Sequence, residues 1–303
     1  MVGLITIIIS TIAILGVAAI GGMITEKSGV INLSIEAFMT IGAITYASIV
    51  TMQSFQSSLA FQWLIIPISG LATSVFAILY IIITVVLKAN QMIAGIALNA
   101  LALAFSLFLV KFQGRSEIEL QNNLWTIGQN IEDPRWVLNI ALFMGIPIMV
   151  FVVVLLGYTK FGKKIKACGE NPHAAASLGI KVQWVQTVAI LISAFISGVA
   201  GALYAQNISR FFFGSVQGVG FLAVALVIFG QWKPLWIIGG AVIFGSIYAI
   251  MNNSLLVPGL NQLGNTDLLK TIPYALSIAV LIFTSKNSRA PKYLGKPFYN
   301  QGR

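Results

Sequence analysis

Apolar residues run along this chain in blocks of about twenty, parted by short polar stretches. About nine blocks can be drawn, at roughly 2–23, 30–50, 61–87, 91–112, 136–158, 184–206, 216–230, 234–257 and 268–285. A helix needs about 20 apolar residues to cross ~30 Å of hydrocarbon. The pattern therefore predicts an all-α polytopic membrane protein with about nine (eight to ten) transmembrane helices. The apolar N-terminus carries no basic stretch ahead of it, so it is expected to run on as the first span rather than as a cleaved signal.

Two blocks depart from the rule. "GGMITEKSGVINLSIEAFMTIGA" sets Glu26, Lys27, Asn32 and Glu36 between apolar flanks too short to be separate spans. "SRFFFGSVQGVGFLAVALVIFG" keeps only about 15 apolar residues after its glycines. Each has a Gly-rich polar entry, a short apolar helix and a closing glycine. One follows span 2–23 and the other follows span 184–206, two spans that run in opposite directions. The chain thus reads as one transmembrane domain, 1–303. Its halves, about 1–158 and 184–285, form a pseudo-inverted repeat with two interrupted or re-entrant segments. Paired interrupted helices mark the transport site in many carriers; the alternative is a pair of glycine-kinked spans in a bundle.

Composition agrees: 58% of the 303 residues are hydrophobic and 9% charged, where soluble domains average about 25% charged. Mean hydropathy is +0.92. The formal charge of +10 could point to nucleic acid, but its distribution argues against that partner. Lys160, Lys163, Lys164, Lys166 and Lys181 face Glu170 alone in loop 159–183, and the tail 286–303 holds Lys286, Arg289, Lys292, Lys296 and Arg303 with no acid. Basic clusters just beyond apolar spans mark cytoplasmic segments. Both are placed there, with an even number of spans between them. Loop 113–135, with Arg115, Glu117, Glu119, Glu132, Asp133 and Arg135, is then external, the N-terminus outside and the C-terminus cytoplasmic. The setting is a plasma membrane, with lipid as the surrounding partner. The lone Cys168 excludes an intramolecular disulfide or thiol cluster.

Within the basic loop, "CGENPHAAASLGI" (168–180) predicts a small, almost bare helix. Asn171 suits the N-cap, Pro172 the first helical position, and Gly179 the left-handed turn that ends a helix. The two turns between, His173 to Leu178, are too short to stand alone in water. Their alanines and serine let another surface approach the backbone closely, which suits docking into a partner's groove; an ordinary interfacial loop helix is the plainer reading.

At this point the sequence resembles a family. "GENPHAAASLGI" is similar to the cytoplasmic coupling-loop signature of permease subunits of ABC importers for branched-chain amino acids, simple sugars and nucleosides, with Gly169, Asn171, Ala174, Ala175, Gly179 and Ile180 matching. "EKSGVINLSIEAFMTIGA" resembles the N-terminal motif of the nucleoside-type permeases through Glu26, Ser28, Gly29, Val30, Asn32, Glu36 and Met39, with Ala37 where glycine is usual. "GFLAVALVIFGQWKPLW" resembles a third motif and departs at Ile228, Phe229 and Trp236. Sugar permeases of the group usually carry an Asp-Leu-Ser stretch in place of the first motif, which favours the nucleoside branch.

The resemblance implies an ATP-driven importer. In it this chain pairs with a second permease subunit, identical or related, and docks on cytoplasmic ATP-binding subunits. A substrate-binding lipoprotein or periplasmic protein delivers solute outside. ATP and Mg²⁺ belong to the partner ATPase; this chain is expected to bind no cofactor and no metal, and to catalyse nothing. Residues 168–180 become the coupling helix, with Gly169, Glu170, Asn171, Ala174, Ala175, Gly179 and Ile180 facing the ATPase. A nucleoside needs hydrogen-bonding groups and apolar walls, so Asn32, Ser34 and Glu36 on the first interrupted segment and Gly220 and Phe221 on the second are candidates to face the path. The other reading of Asn32 and Glu36 is that they satisfy the broken backbone and hold the fold.

Several features are decoys. "GYTKFGKK" (157–164) nearly spells a phosphate-binding loop, but Lys164 stands where the Mg²⁺-binding hydroxyl belongs and the stretch begins at the end of a span. His173, the one histidine, has no acid–base partner beside it in sequence and reads as a helix-surface residue. The run Phe211-Phe212-Phe213 reads as an interfacial anchor or as a base-stacking surface. An ion-coupled secondary carrier is the rival class. Such carriers place titratable groups in mid-span, and Glu36 alone qualifies.

Overall fold

The structure, a computed structural model, describes residues 2–52, 62–120, 126–127, 138–207, 211–254, 257, 266–284 and 289–299. Glu132, Asp133, Arg135, Lys286 and Arg303, read above as topology signals, lie outside them.

Each apolar block contains a helix. They are α1 (Val2–Lys27), α2 (Ile35–Val50), α3 (Gln62–Ile81, continued by a π-helical turn Ile82–Val86), α4 (Gln91–Phe112) and α5 (Ile140–Tyr158). Two helices of the basic loop follow, α6 (Lys160–Glu170) and α7 (Pro172–Ser177), then α8 (Val182–Asn207), α9 (Val219–Phe229), α10 (Pro234–Asn252), the single turn α11 (Thr266–Leu269) and α12 (Ile272–Thr284). Six of these are long and apolar enough to cross a membrane. α2 and α9 are apolar but short. At 1.5 Å per residue α9 extends only about 16 Å, half the hydrocarbon thickness.

The structure differs from the sequence expectation in three places. α1 continues without a break through Glu26 and Lys27, so the interruption is confined to 28–34. An apolar environment favours closing every backbone bond, and nothing before Gly29 (φ +93°) prevents it. Loop 159–183 holds α6 as well as α7, because Thr159 caps α6 by accepting from Gly162 N at 3.0 Å. Short strand pairs also occur: β1 (Ile118–Glu119) with β4 (Phe211–Phe212), and β2 (Thr126–Ile127) with β3 (Leu138–Asn139). Pairing in β4 buries Phe212, which removes it as a stacking surface; Phe213 stays exposed.

α8 is the central helix. It packs on α1, α2 and α3, and 78% of its apolar window is buried against 33% for α4, which lies on the flank. α2 and α8 cross backbone to backbone. A Cβ on Gly42 would strike the Gly198 carbonyl, and one on Gly201 would strike Met39 O. Such small-residue crossings replace the hydrophobic drive that lipid cannot supply. Hydroxyls inside spans are hidden by bonding back one turn, as Ser10 to Thr6 O and Thr11 to Ile7 O, both at 2.7 Å.

The two ends of the bundle are distinct. At one, Gln113 donates to Ser48 Oγ at 3.0 Å and β1 pairs with β4. At the other, loop 28–34, α6, α7 and residues 289–299 meet. The two basic segments therefore share one end.

Candidate functional site

Loop 28–34 ends α1: the amides of Ser28, Gly29 and Val30 still bond back to Thr25 and Glu26 carbonyls, but Ile31, Leu33 and the Ala37 amide of α2 have no helical partners. Side chains from other helices supply them. Gln91 Oε1 accepts from Ile31 N at 2.8 Å, and Tyr80 Oη donates to Ile31 O. Asn99, in the middle of α4, donates to Leu33 O and accepts from Ala37 N, both at 2.9 Å. Asn32 Nδ2 donates to Ser193 Oγ and its Oδ1 accepts from Ser34 Oγ, each at 3.0 Å. Asn32 and Ser34 are fully buried.

The second interruption is held by the first. α9 begins behind Gly218, whose φ of +86° favours glycine. Glu36 reaches across from α2: Oε1 accepts from Gly218 N at 2.8 Å and Oε2 from Gly220 N at 2.7 Å. The carboxylate caps a helix in the other half of the chain, at the end where the dipole favours negative charge. Gly220 permits this approach, since a Cβ there would strike the Glu36 backbone. Below it, Trp232 Nε1 donates to the buried Glu26 Oε2 at 2.6 Å. Of the five path candidates, Asn32 and Ser34 bond to one another and Glu36 bonds to Gly220 N. Phe221 alone stands out, 49% exposed on α9.

The small helix of segment 168–180 has the expected caps. Asn171 Oδ1 accepts from Ala174 N at 3.0 Å with Pro172 at the first position. Gly179 has φ +80°, and Ile180 N closes the end on Ala175 O at 3.1 Å. Pro172 and Ala175 face the bundle, while Ala174, Ser177 and Leu178 are exposed. Leu178 is 83% exposed, a large apolar side chain on a tiny helix. Glu170 and Asn171 are exposed, and Gly169 is buried. Ile180 is half-buried beside Gly179 in a groove of about 390 Å³ that Trp184 and Phe298 complete. The near phosphate-loop motif is the junction of α5 and α6, helical on both sides of Thr159, with no loop to cradle a phosphate. Cys168 is buried, and burial pushes its thiol up to about 11. Among the described residues no group of three or more His, Cys, Asp or Glu could hold a metal ion.

Sequence reasoning missed Gln91, Asn99, Ser193 and Trp232. A lone Asn inside an apolar span was a usable signal, because such groups cost free energy unless bonded.

The described residues form a bundle of apolar helices in which Glu36 of the short helix α2 caps the short helix α9. A family model described as branched-chain amino acid transport system / permease component matches residues 4–284, and the chain belongs to that family. It is 31% identical over 287 residues to the nucleoside ABC transporter permease protein NupC of Lactococcus lactis subsp. cremoris, covering 90% of this chain and 89% of that one. It is 29% identical over 301 residues to the guanosine ABC transporter permease protein NupQ of Bacillus subtilis, covering 92% and 91%. The putative glucose ABC transporter permease protein TsgC13 of Haloferax volcanii is 27% identical over 313 residues, covering 93% and 91%. No solved structure matches the chain.

Proposed function

We infer that this chain is the transmembrane permease subunit of an ATP-driven importer of purine or pyrimidine nucleosides in the plasma membrane. The carrying observation is its full-length similarity to permeases named for nucleosides and for guanosine, joined to the Glu26–Met39 motif. ATP hydrolysis belongs to separate ATP-binding subunits, a second permease subunit completes the pore, and an external binding protein delivers solute. The basic end, with α6, α7 and the tail, faces the cytoplasm, and the N-terminus lies outside.

α7 is the coupling helix. Its exposed Ala174, Ser177 and Leu178 meet the ATPase, while Ala175 and Pro172 seat it on the bundle. Phe221 is the path-facing residue; Asn32, Ser34, Glu36 and Gly220 are the frame that sets its position. A simple sugar is the second reading, supported by the similarity to a putative glucose permease.

The test is uptake in proteoliposomes holding the permease with its ATP-binding and substrate-binding partners. Labelled guanosine and uridine should accumulate when ATP is enclosed, and ribose, glucose and leucine should not. Accumulation of ribose or glucose alone would select the sugar reading. Uptake that follows an imposed ion gradient without ATP would select the secondary-carrier class.

A further inference from the structure

The C-terminal segment is built into the coupling site. Beyond α12, residues 289–299 return to the basic end of the bundle and make two backbone bonds to different elements. Tyr293 N donates to Gly169 O at 2.9 Å, at the end of α6, and Gly295 N donates to Gly29 O at 3.1 Å, at the end of α1. Gly169 and Gly29 are themselves in backbone contact: a Cβ on Gly169 would strike Lys27 O, and one on Gly29 would come within 3.4 Å of Gly169 Cα.

Side chains extend the clasp. His173, on α7, lies between the Tyr293 and Phe298 rings at centroid distances of 5.7 and 5.3 Å, with Nε2 3.2 Å from Tyr293 Oη. Phe298 is buried. Lys88 Nζ, beside the π-helical turn, sits 4.4 Å over the Tyr299 ring, and Arg289 N donates to Gln231 Oε1 at 2.7 Å beyond α9. The tail therefore touches α7, the break at 28–34, the α3–α4 turn and the end of α9.

We propose that residues 291–298 are a positioning element for transport, a clip that holds α7 to the break at 28–34 so that displacement of α7 is delivered to the interrupted helices. The proposal rests on α7 being the coupling helix. A solvated basic tail would have no use for Tyr293, Phe298 and two prolines, whereas a clip needs rings to bury and a fixed backbone. Without it, Gly169 and Gly29 remain in contact but α7 loses the surface that seats His173.

The experiment compares wild type with Phe298→Ala in the full transporter, with two readouts. The first is solute moved per ATP hydrolysed. Phe298→Ala is expected to keep the ATPase bound and hydrolysing while this ratio falls at least about fivefold, the lower range of a coupling free energy between sites. The second is amide hydrogen exchange in residues 169–180, expected to rise in Phe298→Ala. An unchanged ratio with unchanged exchange overturns the proposal. If the wild type shows no ATP-driven uptake, the transport reading fails, and exchange alone decides whether the tail clips α7. Should Phe298→Ala fail to accumulate in the membrane, Phe298→Leu and Tyr293→Phe carry the same readouts, with normal values in both overturning the clip.

Discussion

The Glu36 carboxylate and the Gly220 amide, 184 residues apart, are joined by a 2.7 Å hydrogen bond. With the companion bond to Gly218, it seals the N-terminus of a half-length helix with a side chain from the opposite half of the protein. In hydrocarbon no water replaces a missing acceptor, so the start of α9 depends on Glu36. The arrangement also explains why an acidic residue is tolerated inside the bundle without a cation: its partners are oriented amides.

Replacing Glu36 tests this directly. Glu36→Gln keeps one acceptor oxygen but turns an NH₂ toward an N–H donor, leaving one amide unpaired. Glu36→Ala leaves two. We expect losses of about 1–3 kcal/mol for the first and more for the second, read as thermal unfolding in detergent. Equal stability of Glu36→Ala and wild type would contradict the capping role.

Gly220→Ala should be worse than its size suggests. The added methyl would meet the Glu36 backbone, which cannot rotate aside, so α2 and α9 must separate. The variant is expected to show reduced insertion or a lowered unfolding midpoint, whereas Gly239→Ala, where a Cβ meets nothing within 4 Å, should match wild type.

Glu26 and Trp232 form a buried donor–acceptor pair. Trp232→Phe removes one of the two donors to the Glu26 carboxyl, the other being Asn32 N, and Glu26→Ala removes the acceptor of the indole. A double-mutant cycle should therefore give a coupling of about 0.5–3 kcal/mol. Additive losses would show that the bond contributes nothing of its own.

α7 yields a contrast between neighbours. Ala174 is exposed and Ala175 is 2% exposed. Ala174→Arg should leave insertion and unfolding unchanged while blocking co-purification with the ATPase. Ala175→Arg should unseat the helix and lower stability as well. Identical behaviour of the two variants would remove α7 as a two-faced docking element.

Gly179 ends α7 at φ +80° with open space around it, so only conformation limits substitution. Gly179→Val should lose transport, because a β-branched residue resists the left-handed region, while Gly179→Asn should retain much of it. Transport equal to wild type in the valine variant would disprove the requirement.

The chain's own order of residues was enough for the membrane class, the apolar blocks and the caps of α7. These are local matters: a span is a run of apolar residues, and Asn171, Pro172 and Gly179 act within three or four positions of themselves. The shortness of α2 and α9 was legible too, because polar groups and glycines trim the apolar runs at 28–34 and 214–218. What Asn32 and Glu36 bond to was not legible. Their partners lie 161 and 184 residues away, on helices whose packing is set by glycine crossings such as Gly42 against Gly198. The same holds for Asn99, whose span looks alike from either face, and for the tail, whose rings find His173 only once α12 has returned the chain to the basic end. Local periodicity specifies a helix and its ends; it is blind to which neighbour a buried polar group will meet, since that depends on the three-dimensional closure of the bundle.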